Sequence, residues 1–173
     1  MPLDRGAPPR DTLLMVTHRT RAFITVGALV MAAAIAAIAC TLWPFRQTAT
    51  VAVPDVGSPP GEVVRAYLDA LNAHDCDAAV EMSTPDAAET SRRWCESVAS
   101  LTDIAMGEAV AEDPAWSGHA ATDEVVRVAA TFTLDWRPFA DDGSLPEGTV
   151  QWGYLLVRSA SDAPWQVFDQ GMG

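Results

Sequence analysis

The residues best suited to chemistry in this sequence are two cysteines, Cys76 and Cys95. A pair of thiols can bind a metal, react as a nucleophile or form a disulfide. His74 lies next to this pair, yet no further His or Cys stands at the spacing of a tetrahedral metal site. We therefore expect no metal, and no cofactor either, because the sequence lacks the phosphate-binding and dinucleotide-binding loops. Whether the thiols form a disulfide depends on the compartment in which they lie.

A long apolar segment, Ala22–Phe45, indicates that compartment. It contains no charged residue and is flanked by Arg21 and Arg46. About 20 apolar residues are enough to cross a membrane as a helix. Most nearby arginines precede the segment, which predicts a single-pass protein with a cytoplasmic N-terminus. The residues that follow are then extracytoplasmic, where oxidising conditions favour a Cys76–Cys95 disulfide that stabilises the fold by roughly 3 kcal/mol.

Two alternatives to a permanent anchor stay open. The sequence Ala37-Ile38-Ala39-Cys40 partly matches a bacterial lipobox, in which Cys40 would carry a lipid after cleavage. The other alternative is a cleaved secretion signal, although the apolar cores of such signals are shorter. Translation could also begin at Met15, which precedes a short basic lead into the apolar segment.

The composition divides the chain into four parts. Residues 1–21 are expected to be a disordered cytoplasmic N-terminus, 22–45 the transmembrane anchor, 46–59 a linker and 60–173 one folded domain. Of the 23 acidic residues, only Asp4 and Asp11 precede the anchor. The domain is therefore strongly negative, which argues against nucleic acid as a partner.

Hydrophobic periodicity predicts helices first and strands afterwards. Helical spacing and start signals predict three helices, at Glu62–Ala73, Cys76–Met82 and Pro85–Leu101. Alternation predicts four strands, at Ile104–Val110, Val125–Trp136, Val150–Arg158 and Trp165–Asp169. This order predicts an α+β fold, in which an N-terminal transmembrane helix is followed by three helices packed on a curved, mainly antiparallel four-stranded sheet.

Two segments of this domain carry a resemblance to a known superfamily. The sequence VVRAYLDALNAHD, Val63–Asp75, and the closing Pro164–Asp169 resemble the opening helix pair and the last strand of the nuclear transport factor two-like (SnoaL-like, ketosteroid-isomerase-like) superfamily. The resemblance covers about Pro60 to Gly171. It implies a cone in which the sheet wraps the first helix around a pocket, often with dimers formed on the sheet face. The anchored architecture is also similar to that of actinobacterial envelope proteins, including those associated with lipid transport.

Isomerases of that superfamily use an Asp base, with a Tyr and a protonated Asp, inside an apolar pocket. The residue types available for such roles here are Asp135, Asp169, Tyr67 and Tyr154, but none matches a family catalytic motif position by position. Tyr67 falls on the apolar stripe of the first helix, which favours a core position. Asp135 shares a strand face with polar residues, which favours solvent exposure.

Three further groups favour structural roles. His74 stands at a helix end, where a cation would interact with the carbonyl dipole. His119 lies in a loop without a nucleophile at a recognisable spacing. Asp141-Asp142-Gly143 predicts a turn rather than a calcium site, because the alternating acidic ligands of such a site are missing.

The sequence therefore predicts no catalytic set, and its predicted pocket residues are Tyr67, Trp136, Trp152 and Tyr154. These observations favour a membrane-anchored extracytoplasmic accessory protein that binds an envelope protein partner or a small apolar ligand without catalysis. The alternative is a pocket enzyme of the isomerase, dehydratase or cyclase type, which requires a Tyr and an acid in one cavity. A third hypothesis, a structural or homodimerisation module, predicts a filled cone.

Overall fold

The computed structural model describes residues 31–34, 46–141, 143 and 145–172. Residues 31–34 are helical. The rest of the predicted anchor Ala22–Phe45 lies outside the described residues, as do Met15 and the lipobox cysteine Cys40. In the part of the chain that is described, no helix combines the length and the apolar character needed to span a membrane. The chain divides into two compact units, Met1–Pro44 and Phe45–Gly173, and the second unit is described below.

Helices come first in this unit and strands follow. The α-helices are α1 (Pro60–Ala73), α2 (Cys76–Glu81) and α3 (Ala88–Ser97). The strands are β1 (Val98–Glu112), β2 (Glu124–Trp136), β3 (Gly148–Arg158) and β4 (Gln166–Gly171). A short 3-10 helix, η1 (Pro114–Ser117), connects β1 to β2. The strands form one antiparallel sheet in the order β1-β2-β3-β4.

Helix α1 lies where its apolar stripe predicts a helix. Pro60 occupies the first turn, where its missing N–H costs no hydrogen bond, and Glu62 places a negative charge near the positive end of the dipole. The helix ends at His74, which adopts a left-handed conformation with φ 56°. Its buried stripe includes Val64, Leu68 and Leu71, all inaccessible to solvent. The stripe packs on the sheet and forms the centre of the core.

The inner face of the sheet follows the alternation of β2 and β3. Val128 pairs with Tyr154 across these strands, and both side chains are fully buried. Phe132 and Leu134 of β2 continue the same face. Because cross-strand partners point to the same side of a sheet, these residues form one apolar surface beneath α1.

The predicted architecture, a transmembrane helix ahead of a three-helix cone, is wrong. From residue 46 onward, the described residues form a four-stranded antiparallel sheet with four short helices, α1 to α3 and η1, and no described residues form a helix that could span a membrane. The third helix is shorter than predicted because Val98 and Leu101, expected on its inner face, are instead buried strand residues of β1. β1 consequently has 15 residues and three irregularities in its pairing with β2.

The 3-10 helix η1 is an element that the hydrophobic pattern does not predict. The Asp113 side chain accepts a hydrogen bond from the Ala115 N–H at 2.9 Å, and Pro114 takes the first helical position. Gly118 ends the turn with φ 76°, a conformation that suits glycine. The Asp-Pro pair is therefore a cap and start signal in a segment too short to show helical periodicity.

The segment predicted as a linker makes specific contacts with the helices. The Thr48 N–H donates to the Ala73 carbonyl at 2.8 Å, and the Val51 N–H donates to the Asp75 carboxylate at 2.9 Å. Asp75 is buried and also accepts from the Ala78 N–H at 3.4 Å, as its predicted capping role requires. Residues 48–51 are thereby attached to the carboxyl end of α1.

The predicted disulfide between Cys76 and Cys95 is present. It joins the first residue of α2 to α3, and Cys95 is fully buried in the core. The two helices have only 6 and 10 residues. Isolated helices shorter than about 12 residues are marginal in water, so tertiary links decide whether these two form.

We predict that replacing both cysteines, as C76A with C95A, lowers the free energy of unfolding of the full chain by roughly 3 kcal/mol. The bridge closes a loop with a sequence separation of 19, which restricts the unfolded chain. Urea unfolding in detergent, followed by tryptophan fluorescence, measures this change, and C40A is the matched control. A loss below about 1 kcal/mol would contradict a stabilising role.

Candidate functional site

Two of the predicted pocket residues, Tyr67 and Tyr154, lie inside the core. Their rings pack edge to face with centroids 5.8 Å apart, and both side chains are fully buried. Edge-to-face contact is a favoured arrangement of aromatic rings. The space beneath α1 is therefore filled by the side chains that were expected to line a cavity.

The Tyr67 hydroxyl belongs to a buried chain of hydrogen bonds. It donates to Ser91 Oγ at 3.1 Å, and Ser91 Oγ lies 2.7 Å from Ser83 Oγ. Ser83 in turn donates to the Ala79 carbonyl at 2.8 Å. Burial raises the pKa of Tyr67 to about 12, and the hydrogen bond with Ser91 only partly opposes that effect. The phenol is therefore neutral at physiological pH.

The Tyr154 hydroxyl has a different environment. It is buried and has no hydrogen-bond partner among the described residues. Burial raises the pKa of Tyr154 well above the usual 10, and the neighbouring Tyr67 acts in the same direction. An unpartnered buried hydroxyl destabilises a fold, because folding removes its bonds to water without replacing them.

The two acids considered as bases lie on the surface. Asp135 is exposed and accepts a hydrogen bond from Ser100 Oγ at 2.8 Å. Asp169 is also exposed and accepts one from the backbone N–H of Gln170 at 2.8 Å. Neither carboxylate bonds a tyrosine hydroxyl. The combination of Tyr and acid that the isomerase alternative requires is thus not formed in residues 46–172 as described.

The two tyrosines provide a matched pair of substitutions. We predict that Y67F lowers the free energy of unfolding by about 1 kcal/mol, since it removes the bond to Ser91. Y154F is expected to leave it unchanged or raise it by about 1 kcal/mol, since it removes an unpartnered hydroxyl. Urea unfolding of both variants tests this contrast. Equal destabilisation by the two substitutions would show that Tyr154 has a polar partner.

The predicted pocket tryptophans lie beside α3. Trp94 packs against Trp136 with ring centroids 5.5 Å apart and against Trp152 at 6.1 Å. The Trp136 indole N–H donates to the Leu145 carbonyl at 2.9 Å. A cleft of about 300 Å³ opens next to Trp94 and Trp136, and its rim includes Arg93 and Glu96. Its indole walls are therefore bordered by charge.

A larger cleft, of about 420 Å³, lies beside the disulfide. Four parts of the chain meet there: the N-terminal segment, the junction of α1 and α2, helix α3, and the residue that follows β2. Its lining is predominantly charged or polar and consists of Gln47, His74, Asp75, Cys76, Asp77, Arg92, Glu96 and Arg137. We refer to it as the disulfide cleft.

Arg137 is the buried cation of the disulfide cleft. Only 4% of it is exposed, and its backbone N–H donates to the Ser97 carbonyl at 2.9 Å. Burial lowers the pKa of Arg137, and attraction to Glu96 opposes this change. At the rim, Arg92 and Asp77 form an ion pair at 3.3 Å. Charges of both signs therefore face the same space.

His74 contributes an imidazole to the cleft. Burial lowers the pKa of His74 below the usual 6.5, and repulsion from Arg137 adds to the effect. Its Nδ1 atom is buried without a hydrogen-bond partner among the described residues. The sequence correctly places His74 at a helix end, and the lowered pKa disfavours its cationic form there.

The lowered pKa of His74 predicts a loss of stability in acid. The unfolded chain binds a proton near pH 6.5 and the folded chain only at lower pH, so acidification through this range favours unfolding. H74N removes the titration and keeps a residue that tolerates the left-handed conformation. In urea unfolding, we expect the free energy of unfolding to fall less for H74N than for the unmodified chain when the pH is lowered from about 7.5 to about 5. Equal losses would contradict the lowered pKa.

The remaining candidates lie away from this cleft. His119 lies 3.9 Å from the Asp123 carboxylate and packs its ring against Phe168. The Asp141 side chain accepts a 2.7 Å hydrogen bond from the Gly143 N–H, as in a turn. The described residues contain no group of three His, Cys, Asp or Glu that could hold a metal ion.

In the disulfide cleft, Cys76 is bonded to Cys95 and so offers no free thiol. The charged and polar lining can make ionic contacts and hydrogen bonds of both polarities. The sequence pattern missed Arg137, because it directly follows a strand and no periodicity distinguishes a buried arginine from a solvated one. The Arg137 to Ser97 bond joins positions far apart in the chain.

Comparisons with known proteins leave the family open. No family model matches the sequence, and no curated protein matches it. Among solved structures, the chain is similar to the solution structure of a SEC-C motif containing protein from Rhodopseudomonas palustris. The two are 16% identical, the match covers 69% of this chain and 82% of that chain, and the TM-score is 0.41. The resemblance to the nuclear transport factor two-like superfamily stays a prediction.

Proposed function

We propose that this chain is a membrane-anchored, extracytoplasmic accessory protein that binds a partner protein without catalysis. The apolar segment Ala22–Phe45 holds it at the membrane, with the N-terminus in the cytoplasm and the disulfide-bonded domain outside. The Cys76–Cys95 bond supports this location, because disulfides persist in oxidising compartments.

The observation that carries the binding role is the disulfide cleft. Its lining has cations and anions in close proximity, including a buried arginine. A partner protein can present complementary charges and backbone groups to such a surface, and these contacts give specificity. A small apolar ligand, the other expectation, finds less support, because the tyrosines and tryptophans predicted to line its pocket pack against one another.

The enzymatic alternative depends on a Tyr and an acid in one cavity. The tyrosine hydroxyls are buried in the core, whereas Asp135 and Asp169 are exposed. No described feature favours the isomerase, dehydratase or cyclase chemistry over binding. We therefore adopt the binding role.

Photo-crosslinking in native membranes tests the proposal. A benzophenone amino acid is placed at Asp77, which lies on the cleft and has an exposed side chain. The matched control is Glu108, an exposed position of β1 outside the cleft. We predict a discrete protein adduct from position 77 that position 108 does not give, and a lower yield when R92E reverses the charge at the rim.

Mass spectrometry of the adduct identifies the partner. Identical adducts from both positions, or an adduct that R92E leaves unchanged, would contradict recognition through the disulfide cleft. An adduct of lipid or small-molecule mass from position 77 alone would instead support the ligand-binding expectation.

A further inference from the structure

Phe139, whose side chain is fully exposed, occupies a turn position that glycine normally fills. Its φ is 68°, in the left-handed region that bulky residues seldom adopt. The Ala140 N–H donates to the Arg137 carbonyl at 3.0 Å, and Pro138 is the second residue of this turn. Proline at the second position and a positive φ at the third are features of a type II turn, whose third residue is commonly glycine. The phenyl ring therefore strains the backbone and gains no burial in the described part of the chain.

The residue after Phe139 lines a cleft with aromatic walls. Ala140 borders the cleft of about 300 Å³ beside Trp94 and Trp136, which we name the tryptophan cleft. Trp136 is held in place, because its indole N–H donates to the Leu145 carbonyl at 2.9 Å and its ring packs against Trp94. A cavity of about 150 Å³ can hold a benzene molecule, so the tryptophan cleft has room for an apolar side chain.

The tryptophan cleft adjoins the disulfide cleft. Glu96 lines both of them. The turn that carries Phe139 also joins them, because Arg137 lines the disulfide cleft and Ala140 lines the tryptophan cleft. Consecutive Cα atoms lie about 3.8 Å apart, so Phe139 is close to both clefts. Its protruding ring therefore has a polar recess and an aromatic recess as neighbours.

A protruding ring beside two recesses favours a folded protein as the occupant. A small ligand could enter the tryptophan cleft but would leave the Phe139 ring exposed. The apolar interior of a bilayer does not suit this surface, because the clefts carry charges such as Asp77 and Arg93. A second copy of this chain is disfavoured by repulsion, since residues 46–173 contain 21 acids and seven arginines.

We propose that Phe139 and the tryptophan cleft form the apolar centre of the partner-binding surface, and that the disulfide cleft forms its polar side. The partner is a folded protein that offers an apolar pocket to the Phe139 ring and an apolar side chain to the tryptophan cleft. Protein interfaces often combine an aromatic centre with a polar rim, and a few central residues carry most of the binding energy. This inference rests on the proposed function and deepens it, because it describes the chemistry of the partner.

Photo-crosslinking of the full chain in native membranes tests the location of this centre. The benzophenone amino acid at position 139 keeps the phenyl ring of Phe139 and extends it. The same amino acid at Trp116 is the matched control, because Trp116 is 83% exposed and lines neither cleft. We expect position 139 to capture the same protein as position 77, and position 116 not to capture it.

The substitution F139G separates binding from stability. Glycine adopts a φ of 68° without strain, so we expect the urea midpoint of unfolding to stay the same or rise. The yield of the position 77 adduct should fall at least about tenfold, because the central ring is lost. W116A removes the other exposed ring and should change that yield by no more than about twofold.

The outcomes separate this inference from the proposed function. Capture of the same protein from positions 139 and 77, with a yield at 77 that depends on Phe139, supports the inference. An adduct from position 77 that F139G leaves unchanged overturns the inference and leaves the proposed function in place. Capture of lipid or of a second copy of this chain from position 139 also overturns it. The absence of a protein adduct from both 77 and 139 overturns both.

Discussion

The disulfide between Cys76 and Cys95 is the constraint on which the helical layer depends. Helices α2 and α3 are too short to be stable alone, and the bond fixes the start of one against the buried face of the other. With α3 in place, Ser91 reaches the Tyr67 hydroxyl and Trp94 reaches Trp136. A covalent link between two marginal helices therefore positions both the buried hydroxyl chain and the aromatic cluster.

The same constraint assembles the disulfide cleft. One wall is Cys76 itself, another is α3 with Arg92 and Glu96, and Arg137 is held by its bond to Ser97 at the end of α3. A shift of α3 would move the wall formed by Arg92 and Glu96 and, through the disulfide, the wall formed by Cys76. It would also expose the buried guanidinium of Arg137. The cleft is thus a product of helix placement, and its charges are arranged on elements that the disulfide and the core keep fixed.

Some of these features could be predicted from the sequence, because they depend on local spacing. The stripe of α1, the alternation of β2 and the capping role of Asp75 all follow from neighbours a few residues apart. The predicted fold, a cone with a transmembrane helix ahead of it, was wrong. Val98 shows the reason: its apolar side chain suits either a helix or a strand, and only packing against the sheet selects β1. Whether Tyr154 and Trp136 line a cavity or fill it depends likewise on how the volumes of the side chains fit together in the core. The alternation of apolar and polar residues along a strand does not encode that fit.

We propose that the Cys76–Cys95 bond holds together a domain on the outer side of the membrane. The most direct test of this proposal is the state of these two thiols in living cells of the native host, trapped with acid and then labelled with a maleimide mass tag under denaturing conditions. The account predicts that neither cysteine is labelled, and that both become labelled after intact cells are treated with a membrane-impermeant phosphine reductant. Free thiols before reduction, or a bond that this reductant cannot reach in intact cells, would contradict it.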